Sequence, residues 1–541
     1  MALALFGARG RVGLLAGLLA LGLSGCQTLP PISREGRTAA ALSHARTAWD
    51  ALQTAAPGTP SAQRTERAYN RAVGQVLATL PSGSDAAWGR DATLRGRTPW
   101  RLTLDHSATA APSQTYPLAE FSHLTPASRV RLHKFDRVVA HGGLGVPVVL
   151  AQDDPNRVRQ PYHPPRGEFL PATAVLEFSG STANEARLRF YNPLAVSEVT
   201  VGRTRQPLAE NLTAALESAF VESSARSGKN PHGPAPSASD EQVSHLYFLE
   251  RYDPTKTPVV FVHGLRCGPG VWKNAVNALL ADPALRRRYQ PVCFIYPTKL
   301  PVPIAAARLR ELLMRSRQEL DPGGRSAGYS HLIIVGHSMG GLLSRLQVTE
   351  SGKDFWPAYF DASPREVEGK LDAKTAKVID QALFFHAQHN IRMVIFIGTP
   401  HRGSVMADHS IIRAVARLIL FLPTSAEQRL KHLKKLPQED INPVLRKFYN
   451  VGEESTESLS TEHPMFRVLE QHPVPVPFHS IIATTGPLGA KKLQDSTDGL
   501  VPYWSSHLDG ALSETVLPFP HGCLERPGTV NAVMKILRET R

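Results

Sequence analysis

The sequence predicts an α/β chain: a mostly parallel sheet covered by helices on both faces, preceded by a helical pair and a β-rich region. Three observations carry this. From Tyr247 onward, short apolar runs alternate with helical patterns. One such run, Leu332 to Val335, passes through Gly336-His337-Ser338-Met339-Gly340 into the helical pattern Leu342, Leu343, Leu346. Between about residues 100 and 210 the period falls to two, with Val175 and Glu177 against Leu176 and Phe178, then Arg187 and Arg189 against Leu188 and Phe190.

The first 26 residues read as a targeting segment. Arg9 and Arg11 form a positive start, and Val12 to Leu23 is a short apolar core. A membrane-spanning helix needs about twenty apolar residues, so this run falls short. Leu23-Ser24-Gly25-Cys26 closes it and resembles the lipobox of bacterial lipoproteins. That resemblance implies a lipidated Cys26 and attachment to a membrane, and Gln27 in place of Asp resembles the outer-membrane destination.

Residues 27–34 are a Pro-containing tether, and 27–99 as a whole hold the tether and a helical pair. Leu42, Ala45, Trp49 and Leu52 keep helical spacing, and Pro57-Gly58-Thr59-Pro60 splits the two helices. Residues 100–222 form the β-rich region, with half-buried strands. Ser, Gly, Pro and Asn dominate 223–246, a linker. The α/β domain then occupies 247–541. Its strands are expected at Val259 to Val262, Val292 to Tyr296, Leu332 to Val335, Met393 to Ile397, His479 to Thr484 and Thr515 to Leu517. Helices are expected at Gly270 to Leu280, Ile304 to Leu320 and from Val530 to Leu537. Two cap insertions interrupt it: a mixed one at about 352–390 and a basic helical one at about 404–475, with Ile411, Val415, Leu418 and Leu422 on one stripe.

The chain of 541 residues is 42% hydrophobic and carries a net charge of +14. No zinc-finger, RNA-recognition or helix-turn-helix pattern turns that charge toward nucleic acid. The densest basic run, Arg286 to Arg288, reads as a solvated helix end. No metal-binding spacing of His or Cys is present, so neither metal nor organic cofactor is implied. Beyond Cys26 there are Cys267, Cys293 and Cys523. Cys293 reads as a buried small side chain, and Cys267 with Cys523 as a candidate bridge.

Ser338 sits between a strand and a helix in a G-x-S-x-G turn. A serine there is held in a strained conformation with its hydroxyl exposed beside a helix N-terminus. A hydroxyl is a poor nucleophile at neutral pH and needs a base and an orienting acid, which follow in the order acid, then His. His521, just past the last strand, takes the place of the base. Asp495, Asp498 and Asp509 all qualify as acid by order. Asp498 is favoured because Gly499 permits a tight turn, and Asp495 is its main rival. The oxyanion donors are expected to be the N–H groups of Met339 and of Leu265, in the loop His263-Gly264-Leu265. His141-Gly142-Gly143 offers a similar loop but reads as a strand bend.

Together Pro258-Val-Val-Phe-Val-His-Gly-Leu265, Gly336-His-Ser-Met-Gly-Gly341, Gly398-Thr-Pro-His-Arg-Gly-Ser404 and Asp498-Gly-Leu-Val-Pro502 with His521 resemble the α/β-hydrolase superfamily, above all bacterial lipases and esterases that include lipoprotein forms. The resemblance spans roughly residues 247–541. It implies a Ser338–Asp498–His521 triad, an oxyanion hole at Leu265 and Met339, and a supporting place for His401. The expected function is a membrane-attached, serine-dependent carboxylic ester hydrolase acting on lipidic or small esters. Two alternatives stand beside it: an acyltransferase or phospholipid- or lipoprotein-directed deacylase on the same residues, and a non-catalytic outer-membrane adaptor.

Overall fold

The computed structural model describes residues 34–56, 58–80, 92–94, 99–104, 114–158, 161–178, 184–221, 244–404, 436–449, 459–486 and 493–540. Cys26 and the stripe from Ile411 to Leu422 lie outside the described residues.

Helices α1 (Arg34–Leu52) and α2 (Pro60–Leu77) come first. Pro60 opens α2, and the Thr59 hydroxyl accepts the Ala62 N–H as its cap. Strands β1 (Ala92–Leu94), β2 (Trp100–Leu104), β3 (His123–Pro126), β4 (Ala140–His141), β5 (Val146–Gln152), β6 (Glu168–Glu177), β7 (Glu185–Tyr191), β8 (Glu198–Val201), β9 (Thr204–Pro207) and β10 (Glu210–Asn211) follow, and helix α3 (Leu212–Val221) ends the region. One sheet runs β1-β2-β7-β6-β5-β3. The helical pair shares a single core with it, Leu42, Trp49, Tyr69 and Val73 meeting Trp100, Leu176, Phe178 and Phe190. The buried Tyr69 hydroxyl accepts the Leu176 N–H at 2.8 Å and donates to the Leu176 carbonyl at 2.6 Å.

β7 alternates as its sequence predicts, with Leu188 and Phe190 inward. β6 departs from the half-buried expectation, because all of Glu168 to Leu176 is buried. The helical pair covers one side of the sheet, while Ala214 and Ala215 of α3 pack against Val149, Ala151 and Phe169. The opposite side of α3, Leu212, Leu216 and Phe220, packs with Trp272, Val276 and Leu279 of the C-terminal region. Arg251 adds a second tie. It donates to both carboxylate oxygens of Glu168 at 2.9 Å and to Glu120 at 2.8 Å.

The C-terminal sheet is built from β11 (His245–Phe248), β12 (Thr257–Val262), β13 (Tyr289–Ile295), β14 (Leu332–His337), β15 (Ile391–Ile397), β16 (Phe478–Ala483) and β17 (Ser513–Leu517), in the order β11-β13-β12-β14-β15-β16-β17. Every neighbouring pair is parallel except β11 with β13. Its central strands carry apolar residues at successive positions because both faces are covered. Val260, Val262, Ile334, Val394 and Phe396 enter one core, and Val259, Phe261, Val335, Ile395 and Ile397 the other. Helices α4 (Lys273–Ala281) and Pro527–Glu539 pack on the second core. After α5 (Pro283–Arg288), α6 (Val302–Leu320) and α7 (Met339–Arg345) pack on the first. The chain runs outward from β12 to β13 and returns to β14, so the order reverses there. Ligands of open parallel sheets bind at the carboxyl ends of strands at such a point.

Arg287 and Arg288 are exposed, as expected of a solvated basic helix end, but Arg286 departs from it: its guanidinium is turned inward onto Glu210 at 3.2 Å, tying α5 to the N-terminal region. The first insertion folds into helices Trp356–Tyr359, Pro364–Glu368 and Ala373–Leu383. It joins the second through a Phe360–Ile441 bridge and a Lys370–Asp440 ion pair at 2.6 Å. Among the described residues no helix is long and apolar enough to cross a membrane.

Candidate active site

β14 delivers its last residue, His337, to the carboxyl edge of the sheet, and α7 begins at Met339. Ser338 is the joint, at φ 54° and ψ −127°. Few L-residues adopt positive φ, and such strain clusters at functional sites. The glycines of the motif answer a packing demand. A Cβ on Gly340 would lie 2.5 Å from the His263 carbonyl, and one on Gly336 would lie 2.6 Å from the Gly340 carbonyl. Strand, turn and helix thus approach more closely than any larger residue allows.

His521 follows β17 and reaches back to this joint. Its Nε2 lies 2.9 Å from Ser338 Oγ, and its Nδ1 lies 2.7 Å from Asp498 Oδ2. The backbone repeats the link, with the His521 N–H donating to the Asp498 carbonyl at 2.9 Å. Asp498 is 2% exposed, and its Oδ1 accepts the N–H groups of Leu500 (2.9 Å) and Val501 (2.7 Å). Gly499, at φ 98°, makes the turn that returns these donors. The carboxylate is therefore fixed before it meets the imidazole. Of the three aspartates with the right order, the structure brings Asp498 to His521. Asp495 is exposed, and Asp509 faces solvent beside His507.

The loop after β12 closes the other side. A Cβ on Gly264 would stand 2.9 Å from Ser338 Cβ, so the backbone leading to Leu265 passes directly over the serine. Met339 opens α7, where the first N–H groups of a helix have no intrahelical partner. His141-Gly142-Gly143 is elsewhere: β4 pairs with β10, and Gly143 packs against Ala209.

The stretch Gly398 to Ser404 has a role that its sequence does not reveal. Gly398, at φ 51°, lies against the acid–base pair, since a Cβ there would be 3.5 Å from Asp498 Oδ2 and 3.6 Å from His521 Nδ1. Arg402 donates to the carbonyls of Trp504 (2.8 Å) and His507 (2.7 Å), and its N–H donates to Ser505 Oγ at 3.1 Å. Ser404 donates to the Leu500 carbonyl, and the His401 N–H to the Ser505 carbonyl. The segment is a clamp on the loop that carries Asp498. His401 is fully buried, edge-on to Phe396, and burial holds its imidazole well below the ordinary range. It is remote in kind from the exposed tip of a base.

Cys267, Cys293 and Cys523 are all free, which corrects the Cys267–Cys523 bridge. Cys523 is fully buried among the side chains of the second core, while Cys267 stays partly exposed on the loop beyond Leu265. Among the described residues no group of His, Cys, Asp and Glu is placed to hold a metal. A cavity of about 1110 Å³ opens among Thr257, Tyr289, Ile333, Ile391 and Pro477. These are the amino ends of the strands, the sheet edge opposite Ser338, so the cavity takes no part in this site.

A β11-β13-β12-β14-β15-β16-β17 sheet with a serine turn after β14 is the architecture of an α/β hydrolase, and residues 259–450 match the alpha/beta hydrolase family. The C-terminal half thus has the α/β-hydrolase fold. No curated protein matches the sequence. Among solved structures, the chain is similar to mature lipase BlEst2 of Bacillus licheniformis, at 20% identity over 55% of this chain and 98% of that one, with a TM-score of 0.31. It is also similar to a lipase-esterase related protein of Clostridium acetobutylicum, at 11% identity over 55% of this chain and 98% of that one, with a TM-score of 0.28. EstA of Clostridium botulinum is similar at 12% identity over 52% and 87% of the two chains, with a TM-score of 0.32.

Proposed function

We propose that this α/β hydrolase is a serine-dependent carboxylic ester hydrolase. The observation that carries the reading is the continuous chain Ser338 Oγ, His521, Asp498, at 2.9 Å and 2.7 Å, on a serine in a strained turn. With Asp498 ionised, His521 carries its proton on Nδ1, and Nε2 is free to accept from the serine hydroxyl. Ser338 Oγ then bonds to the ester carbonyl carbon while its proton passes to Nε2. Asp498 stabilises the imidazolium so formed. The carbonyl oxygen becomes an oxyanion and receives the N–H groups of Met339 and Leu265. As the intermediate collapses, the carbon–alkoxy bond breaks and the alcohol leaves with the Nε2 proton. Water repeats the sequence on the acyl-enzyme and frees the acid.

The reading extends to place. Leu23-Ser24-Gly25-Cys26 supports lipidation of Cys26 and attachment to the outer membrane, where lipidic esters are at hand. Labelled fatty acid incorporated into the parent protein and not into Cys26→Ser would support this; equal labelling would refute it. For the chemistry, Ser338→Ala should abolish hydrolysis of short p-nitrophenyl esters and labelling by a fluorophosphonate. Hydrolysis at the parent rate by that variant would overturn the proposal.

A further inference from the structure

His337 belongs to the G-x-S-x-G turn, yet the triad leaves it without a task. It is 3% exposed at the end of β14, one residue before the nucleophile. Its Nε2 lies 3.0 Å from the backbone carbonyl of His521. A carbonyl only accepts, so His337 donates and its proton sits on Nε2. Its ring also packs on the His521 ring, with centroids 4.9 Å apart at 41°. The other nitrogen faces the opposite way: a Cβ on Gly264 would stand 3.0 Å from Nδ1. Among the described residues that Nδ1 has no hydrogen-bond partner.

One imidazole thus touches the base on one side and the oxyanion loop on the other. It grows from the backbone that also presents Ser338. We propose that His337 is a positioning residue that sets the distance between His521, Ser338 and the Gly264–Leu265 loop. The proposal rests on the ester-hydrolase reading for the role of His521, and it deepens that reading. Burial, with His521 close by, pushes the His337 imidazole down to about 3, so the ring stays neutral and keeps its single Nε2–H donor. Without that donor the His521 carbonyl loses a buried partner and the ring beneath the base is gone. His521 is then held by Asp498 and by the Cys523 N–H on its carbonyl at 2.8 Å, with no ring beneath its imidazole.

The test compares His337→Leu, which fills space without donating, with His337→Gln, whose side-chain amide restores a donor at similar reach. The first readout is the rate at which a fluorophosphonate labels Ser338 in the full chain. Misplacement of reacting groups by about 1 Å costs about 100-fold, so His337→Leu should label about 100-fold more slowly and His337→Gln should recover most of that loss. The second readout is the downfield NMR signal of the proton between His521 Nδ1 and Asp498, expected in the parent and the Gln variant and broadened or lost in the Leu variant. Melting temperatures are measured alongside. A Leu variant that labels within about twofold of the parent and keeps the downfield signal would overturn the proposal. So would Gln and Leu variants that slow equally, because a space-filling role alone predicts that. If the Leu variant fails to fold, His337→Asn replaces it; its shorter amide should fall between Gln and Leu, and a rate equal to that of Gln refutes the proposal. Absence of labelling in the parent would sink the ester-hydrolase reading instead, and the proton signal would still decide whether His337 holds His521.

Discussion

Replacing Asp498 by Asn tests the proposed acid with almost no change of shape. The carboxylate makes three contacts: Leu500 and Val501 N–H groups on Oδ1, and His521 Nδ1 on Oδ2. An asparagine has one accepting and one donating end. If its oxygen keeps the two backbone donors, its NH₂ faces His521 Nδ1. The imidazole must then carry its proton on Nε2, where it cannot accept from Ser338. If the amide turns over, the NH₂ meets two buried N–H groups. Charge is lost as well. The transferred proton makes an imidazolium about 4 Å from the carboxylate centre, an attraction of about 4 kcal/mol at an effective dielectric of 20. At about 1.4 kcal/mol per decade, that is roughly 1,000-fold in rate. Asp498→Asn should therefore lower kcat/KM for p-nitrophenyl butyrate by about 1,000-fold with a melting temperature near that of the parent. Asp495→Asn and Asp509→Asn should stay within about twofold, as exposed substitutions do. A folded Asp498→Asn enzyme within tenfold of the parent would refute both the tautomer argument and the assignment of the acid.

Three further outcomes are expected. Ser338→Gly should abolish hydrolysis yet raise stability by about 1 kcal/mol, read by chemical denaturation, because glycine adopts φ 54° and ψ −127° without strain; an unchanged or lower midpoint contradicts this. Arg402→Ala removes the bonds to the Trp504 and His507 carbonyls, so kcat should fall about tenfold with KM little changed, and an intact kcat would deny the clamp. Burial pushes His263 down to about 4, His337 to about 3 and His401 well below the ordinary range. The unfolded chain therefore takes up their protons first, and stability, full above about pH 6.5, declines as pH falls toward those values by up to about 1.4 kcal/mol per unit for each. Denaturation midpoints at pH 7.0 and 5.5 that coincide would refute this.

The strands of the C-terminal sheet were readable because burial on both faces leaves unbroken apolar runs at Val259 to Val262 and Leu332 to Val335. Asp498 is favoured by its glycine neighbour, and of the three aspartates it is the one that the structure brings to His521. The Arg402 clamp was not. It joins residues about a hundred positions apart through backbone carbonyls, and a carbonyl leaves no mark in a sequence. His337 was hidden for the same reason, since its partner is the carbonyl of His521. Burial of β6 on both faces escaped because α3 has little amphipathic signature: its apolar residues enter two different cores, and its polar Thr213 and Glu217 are buried in hydrogen bonds.

That double membership of α3 bears on how the molecule comes apart. A helix shared by two cores cannot leave one without stripping the other, and Arg251 and Arg286 bind the same two regions through Glu120, Glu168 and Glu210. Heating should melt both sheets in one cooperative transition. Shortening the chain to residues 247–541 would bare Trp272, Val276 and Leu279 to water, so the N-terminal region is part of the C-terminal half's own interior.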